Sequence, residues 1–98
     1  MTFEKVLDVF SDYLIEDEDC EVLLTRHGYA ITYWDYIRKE WPQCEYCESP
    51  EVLCEYLLDD FARYTKLKIT DGDRDLTAKE VAYIEAECER RKALCETG

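Results

Sequence analysis

The stretch CEVLLTRHGYAITYW, from Cys20 to Trp34, constrains the fold more than any other part of the chain. β-branched and aromatic residues crowd both sides of His27-Gly28, a pair suited to the left-handed dihedrals of a two-residue hairpin turn. Strands are expected from about Glu21 to Arg26 and from Tyr29 to Trp34. With that turn Leu24 faces Ile31, Val22 faces Tyr33 and Arg26 faces Tyr29, so one side of the ribbon is mostly apolar. The other side carries Leu23, Thr25, Ala30, Thr32 and Trp34. A third strand is read in IRKEWPQCEYC. Placing Trp41 opposite Trp34, across a loop near Tyr36 to Lys39, sends Cys44 and Tyr46 to the core face. Pro42 cannot donate a ladder hydrogen bond, which puts this strand at a sheet edge.

Helices flank the sheet. Phe3, Val6, Leu7, Phe10, Tyr13 and Leu14 recur at helical spacing behind Thr2, a capping residue, and the acidic run Glu16 to Asp19 that follows reads as a solvated loop. Ser49-Pro50 is an N-cap followed by proline at the first helical position, opening a second helix with the stripe Leu53, Leu57, Phe61 and Tyr64, widened by Cys54 and Leu58. It is expected to end near Lys68. Thr77 to Glu80 matches a capping box that opens a third helix to about Cys95, with Val81, Ile84, Cys88 and Cys95 on one face. Because EAECERRK is nearly all polar, the last turns of that helix are expected to project from the body or to pack on another subunit. The expectation is a single α+β domain over residues 1–98: one N-terminal helix, a three-stranded antiparallel meander and two C-terminal helices, α-β-β-β-α-α. The apolar face of Val22, Leu24, Ile31 and Tyr33 is to pack on the first two helices.

Charge narrows the function. Twelve Lys and Arg stand against 24 Asp and Glu, a net charge of −12, yet 47% of the residues are hydrophobic and 13% aromatic, so the chain is foldable rather than disordered. Such a charge repels phosphate backbones and argues against direct nucleic-acid binding, while long-range electrostatics favour a basic protein partner or the basic nucleic-acid-binding surface of one. The N-terminus has no basic region ahead of an apolar one, and no later segment approaches a membrane span, so a cytoplasmic protein is expected, with its six cysteines reduced.

Cys44 and Cys47 are spaced as C-x-x-C with Cys54 nearby, but zinc needs four converging ligands and Cys88 and Cys95, seven apart on a helix, cannot supply a second close pair. A redox role wants cations near the thiols, whereas Glu45, Glu48 and Glu51 surround Cys47. Packing is the better account of these cysteines, with a small zinc- or thiol-dependent protein using Cys44 and Cys47 as the alternative. Asp71, Asp73 and Asp75 mimic the start of a calcium loop that then fails, with Leu76 where glycine is needed and Ala82 where glutamate is needed. His27, the only histidine, reads as a turn residue, no catalytic motif occurs, and neither an enzyme nor a cofactor is expected. The sheet face with Trp34 and Trp41, bordered by Thr32 and Gln43, is the candidate partner surface, since tryptophans anchor interfaces and an acidic rim selects a basic partner.

The segments FEKVLDVFSDYL, RHGYAITYWD, SPEVLCEYLL and KITDGDRDLTAKE together resemble a group of short acidic open reading frames on conjugative and other mobile elements of Gram-positive gut bacteria. The resemblance covers nearly the whole chain and implies context alone: an accessory protein acting on element or host machinery. The expected function is a non-catalytic interaction module. A single helix covers only one side of a three-stranded sheet, so either the third helix folds over the tryptophan face or a twofold homodimer buries it.

Overall fold

The computed structural model describes residues 1–97. In chain order its elements are α1 (Phe3–Val9), α2 (Ser11–Glu16), β1 (Cys20–Thr25), β2 (Gly28–Tyr33), β3 (Cys44–Tyr46), α3 (Pro50–Thr70) and α4 (Ala78–Glu96). The α+β class and the antiparallel meander, ordered β1-β2-β3, agree with the sequence reading. Four helices stand among the described residues where three are expected, because the first amphipathic segment kinks at Phe10. There the Ser11 hydroxyl donates to the Asp8 carbonyl (2.8 Å) and the Asp12 carboxylate accepts from the Tyr13 amide (2.8 Å). Such local side-chain bonds compete with regular helix.

The helix starts follow local chemistry. Thr2 accepts from the Lys5 amide (3.1 Å), Ser49 accepts from the Val52 amide (3.3 Å) ahead of Pro50, and Thr77 and Glu80 exchange both bonds of a capping box (3.2 and 2.9 Å). α3 runs past Lys68 to Thr70, where Asp71 takes a left-handed conformation (φ 54°) and its amide donates back to Leu67 (2.8 Å).

In the hairpin Leu24 pairs with Tyr29, Val22 with Ile31 and Cys20 with Tyr33, so the turn is Arg26-His27 rather than His27-Gly28. Thr25 explains the shift: its hydroxyl accepts from the His27 amide (3.1 Å) and donates to the Gly28 carbonyl (2.7 Å), while Gly28 takes its positive φ (120°) at the start of β2. A shift of two leaves every side chain on its expected face. Leu24 nevertheless does not pack on the helices as expected: it sits at the hairpin end, 72% exposed, while Val22, Ile31 and Tyr33 reach the core.

The third strand departs further. Asp35 bridges Glu40, but beyond Pro42 the pairing becomes Thr32 with Cys44 and Ala30 with Tyr46, one residue out of step. The extra residue is absorbed at Pro42-Gln43, where proline has no amide for the ladder and the Thr32 hydroxyl donates to the Gln43 carbonyl. Cys44 and Tyr46 therefore lie on the outer side with Thr32 and Ala30, not on the core face as expected. Cys47 turns inward instead, its amide donating to the Tyr29 carbonyl (3.0 Å).

The core is formed by Val6, Phe10 and Tyr13 from the N-terminal helices, Cys20, Ile31 and Cys47 from the sheet side, Leu53, Cys54, Leu57 and Phe61 from α3, and Cys95 from α4. The last turns of α4 do not project. They pack on α1 and α3, because Arg91 fills the place between Cys88 and Cys95 in the buried stripe. Arg91 is only 4% exposed. Its guanidinium lies 4.2 Å from the Phe61 ring centroid, forms paired bonds to the Asp12 carboxylate (2.9 and 2.8 Å) and donates to the Val9 carbonyl (3.1 Å). A row that is polar by hydropathy is thus apolar in its stem and paired at its head. Side chains of α3 and α4 share this core cluster with Cys20 and Ile31 of the sheet, and the molecule has extents of 43 × 39 × 18 Å.

Candidate interaction surface

Strand alternation decides what the outer face carries. Asp19 continues the β1 ladder, its carbonyl accepting from the Trp34 amide (2.8 Å), so Asp19, Glu21 and Leu23 share the outer side with Trp34, Thr32 and Ala30. Trp41 joins them through the Asp35-Glu40 bridge, and Tyr46 lies over Gly28, at 3.5 Å from where a β-carbon would stand. Carboxylates and aromatic rings are therefore interleaved on one side of one sheet.

The two tryptophans meet at 63° with ring centroids 5.0 Å apart. The loop between them is held by Asp35, whose carboxylate accepts from the amides of Ile37 (2.9 Å) and Arg38 (3.1 Å), and by Lys39 in a left-handed conformation (φ 55°). Trp34, Trp41 and Tyr36 with Glu18 and Asp19 enclose a cleft of about 320 Å³. The Asp19 carboxylate beside the Tyr36 hydroxyl pushes that hydroxyl's pKa up. Of the expected surface residues, Trp34 and Trp41 come together, and Trp41 is 45% exposed. Thr32 is 2% exposed and its hydroxyl donates to the Gln43 backbone carbonyl, so it holds the bulge rather than presenting a polar group, while Gln43 itself stays exposed. Sequence reasoning missed Glu18, Asp19, Tyr36 and Tyr46. The first two were assigned to a solvated loop, yet Asp19 lies an even number of residues before Leu23 and shares its face.

A second cleft, of about 440 Å³, opens on the inner side between Tyr13, Asp17, Tyr33, Asp60, Tyr64 and the exposed Arg63, and Asp19 lines it too. Asp60 is 7% exposed, accepts a hydrogen bond from Tyr33, and has Arg63 at 3.8 Å. Desolvation raises the Asp60 pKa above the ordinary carboxylate value, the Tyr33 bond opposing it. Tyr13 donates to Asp17 (2.7 Å), and burial raises the pKa of both Tyr13 and Tyr33.

The six cysteines are free thiols. Desolvation pushes Cys20 and Cys54 up to about 12 and raises Cys47, Cys88 and Cys95, the reverse of what a nucleophile or thiolate ligand needs. Cys44 is exposed while Cys47 is buried on the opposite side of the strand. Among the described residues no group of three or more His, Cys, Asp or Glu is placed to hold a metal ion. Asp71 caps α3, Asp73 donates its amide to Thr70 (3.0 Å), and Arg74 beside it pairs with Glu80 (2.8 and 2.9 Å), so the acidic loop is occupied by helix-end chemistry. Among the described residues no helix is long and apolar enough to cross a membrane.

Comparison of the chain with protein-family models, with curated proteins and with solved structures finds no match.

Proposed function

We propose that the protein is a non-catalytic interaction module that binds a basic protein partner through the outer face of its sheet. As an acidic accessory protein, of a mobile element by its resemblance, it would cover a surface that otherwise holds nucleic acid. The carrying observation is the interleaving of Trp34, Trp41 and Tyr46 with Asp19 and Glu21 on a sheet face where Leu23, Trp41 and Tyr46 stay exposed. Large aromatic area kept at the surface marks interaction sites, and a net charge of −12 steers a cationic partner toward it. The raised thiol pKa values also favour packing over chemistry for the buried cysteines.

Pull-down from the native host with the wild-type chain and with Trp34→Ala/Trp41→Ala tests the reading. A basic protein retained by the wild type, lost by the double variant and displaced by nucleic acid supports it. A partner that the variant retains equally places the contact elsewhere. Stoichiometric metal in chain purified without chelator would instead favour a thiol site. Sedimentation equilibrium separates a face used between two copies from one left open for another protein.

A further inference from the structure

We infer that the cleft between Trp34, Trp41 and Tyr36 is a seat for an arginine side chain of the basic partner. This rests on the proposed function and specifies its anchor. The volume, about 320 Å³, lies at the lower bound for ligand pockets and suits one long side chain rather than a larger ligand. Three aromatic side chains line it, Trp34 and Trp41 meeting edge to face at 63°, together with Glu18 and Asp19. A planar cation gains from both, stacking on an indole while its N–H fork meets a carboxylate. Lysine, a point charge on a flexible stem, gains less from such a pairing.

The molecule holds one example of this chemistry already. Inside, Phe61 and Phe10 with Asp12 seat the guanidinium of Arg91, at 4.2 and 5.5 Å from the two ring centroids and with two bonds to the carboxylate. On the outer face the same combination of rings and carboxylates recurs. Among the described residues, however, neither Glu18 nor Asp19 forms an ion pair, and both cation–π contacts belong to Arg91. The inner constellation is completed within the chain, and the outer one is built for a cation from elsewhere. Arginine is also the residue by which many nucleic-acid-binding surfaces grip phosphates and base edges, so seating it here would block such a surface directly.

Two Gly-Ser peptides of equal net charge, one with spaced arginines and one with spaced lysines, test the inference by calorimetric titration of the full chain in moderate salt. The arginine peptide is expected to bind about fivefold tighter. Trp41→Ala should level the two peptides, and Asp19→Asn should narrow the gap. Equal affinity in the wild type overturns the arginine seat, as does a gap that survives Trp41→Ala. In either case salt-sensitive binding of both peptides leaves the basic-partner reading standing, whereas no binding of either peptide sinks both. Should Trp41→Ala lose the folded circular-dichroism spectrum, Tyr36→Ala, at a residue 66% exposed, makes the same comparison.

Discussion

The two faces of one small sheet have opposite fates. On the inner face Cys20, Val22, Ile31 and Tyr33 join or pack against the core cluster, with Leu24 left exposed at the hairpin end, while on the outer face Leu23, Trp41 and Tyr46 stay exposed. Alternate residues of the same strands thus serve different ends, and the difference teaches which side chains the fold requires. Removing inner residues should cost stability, and removing outer ones should cost binding.

The largest expected effect is at Ile31, which is fully buried. Ile31→Ala should lose roughly 2–5 kcal/mol in urea unfolding. Leu23→Ala, one position across the outer face and 41% exposed, should lose less than about 1 kcal/mol. Equal losses at the two sites would break the comparison and mean that something covers the outer face.

Arg91 sharpens the same contrast from the helical side. Its Asp12 partner is largely exposed and rehydrates when the arginine goes, so Arg91→Ala should cost about 2 kcal/mol, mainly through lost packing between Phe10 and Phe61. Arg91→Met keeps the stem and removes a buried Nε that has no hydrogen-bond partner, so it should cost clearly less. If Met proves as damaging as Ala in urea melts, the ion pair rather than the stem holds α4 in place.

What could be read ahead of the structure was whatever depends on near neighbours. Ser49-Pro50 and Thr77 with Glu80 announce helix starts because a cap is satisfied within three residues. The inner face of the hairpin was legible, Leu24 at its exposed end excepted, although the turn was misplaced, since a shift of two preserves the side-chain alternation. The same rule hid β3: the single extra residue at Pro42-Gln43 reverses Cys44 and Tyr46, and nothing local declares how a proline's missing amide will be accommodated. Arg91 was hidden by its charge, although its spacing from Ile84, Cys88 and Cys95 matches the buried stripe. Of the candidate surface, the tryptophan pair was legible from register, while its acidic rim depended on β1 hydrogen bonding reaching back to Asp19.

Asp60, on the inner face, predicts a pH effect. Its folded pKa stands above the unfolded value because burial disfavours the carboxylate. Its contribution to stability is therefore full below the ordinary carboxylate value of 3.8 and is lost as pH rises through the folded pKa. Asp60→Asn keeps an acceptor for Tyr33 and should gain on the wild type as pH rises from acid to neutral. Asp12 has the opposite sign: the Arg91 hydrogen bonds hold its pKa down to about 2, so its contribution is present above 3.8 and lost as pH falls toward about 2. Asp12→Asn should flatten that acid limb. Urea midpoints across pH check both, and an Asp60→Asn curve parallel to the wild type would mean that the carboxylate is effectively solvated in the folded state.

A small expected change in stability, and the one most informative about function, is at Trp41. Its ring touches Trp34 but lies outside the core cluster, so Trp41→Ala gives up one aromatic pair and part of an exposed surface. Such a pair contributes about 1 kcal/mol beyond area burial, and with the half-buried ring's area the loss should stay at about 2 kcal/mol. The hairpin and β3 retain their backbone pairing and the Thr32-Gln43 clip, so circular dichroism should be unchanged. A large bulky ring held where it stabilises so little is better explained by what it contacts outside the chain. Partner binding should therefore fall by far more than stability does. A variant that unfolds by several kcal/mol would return Trp41 to the fold, and with it the distinction between the two faces would be lost.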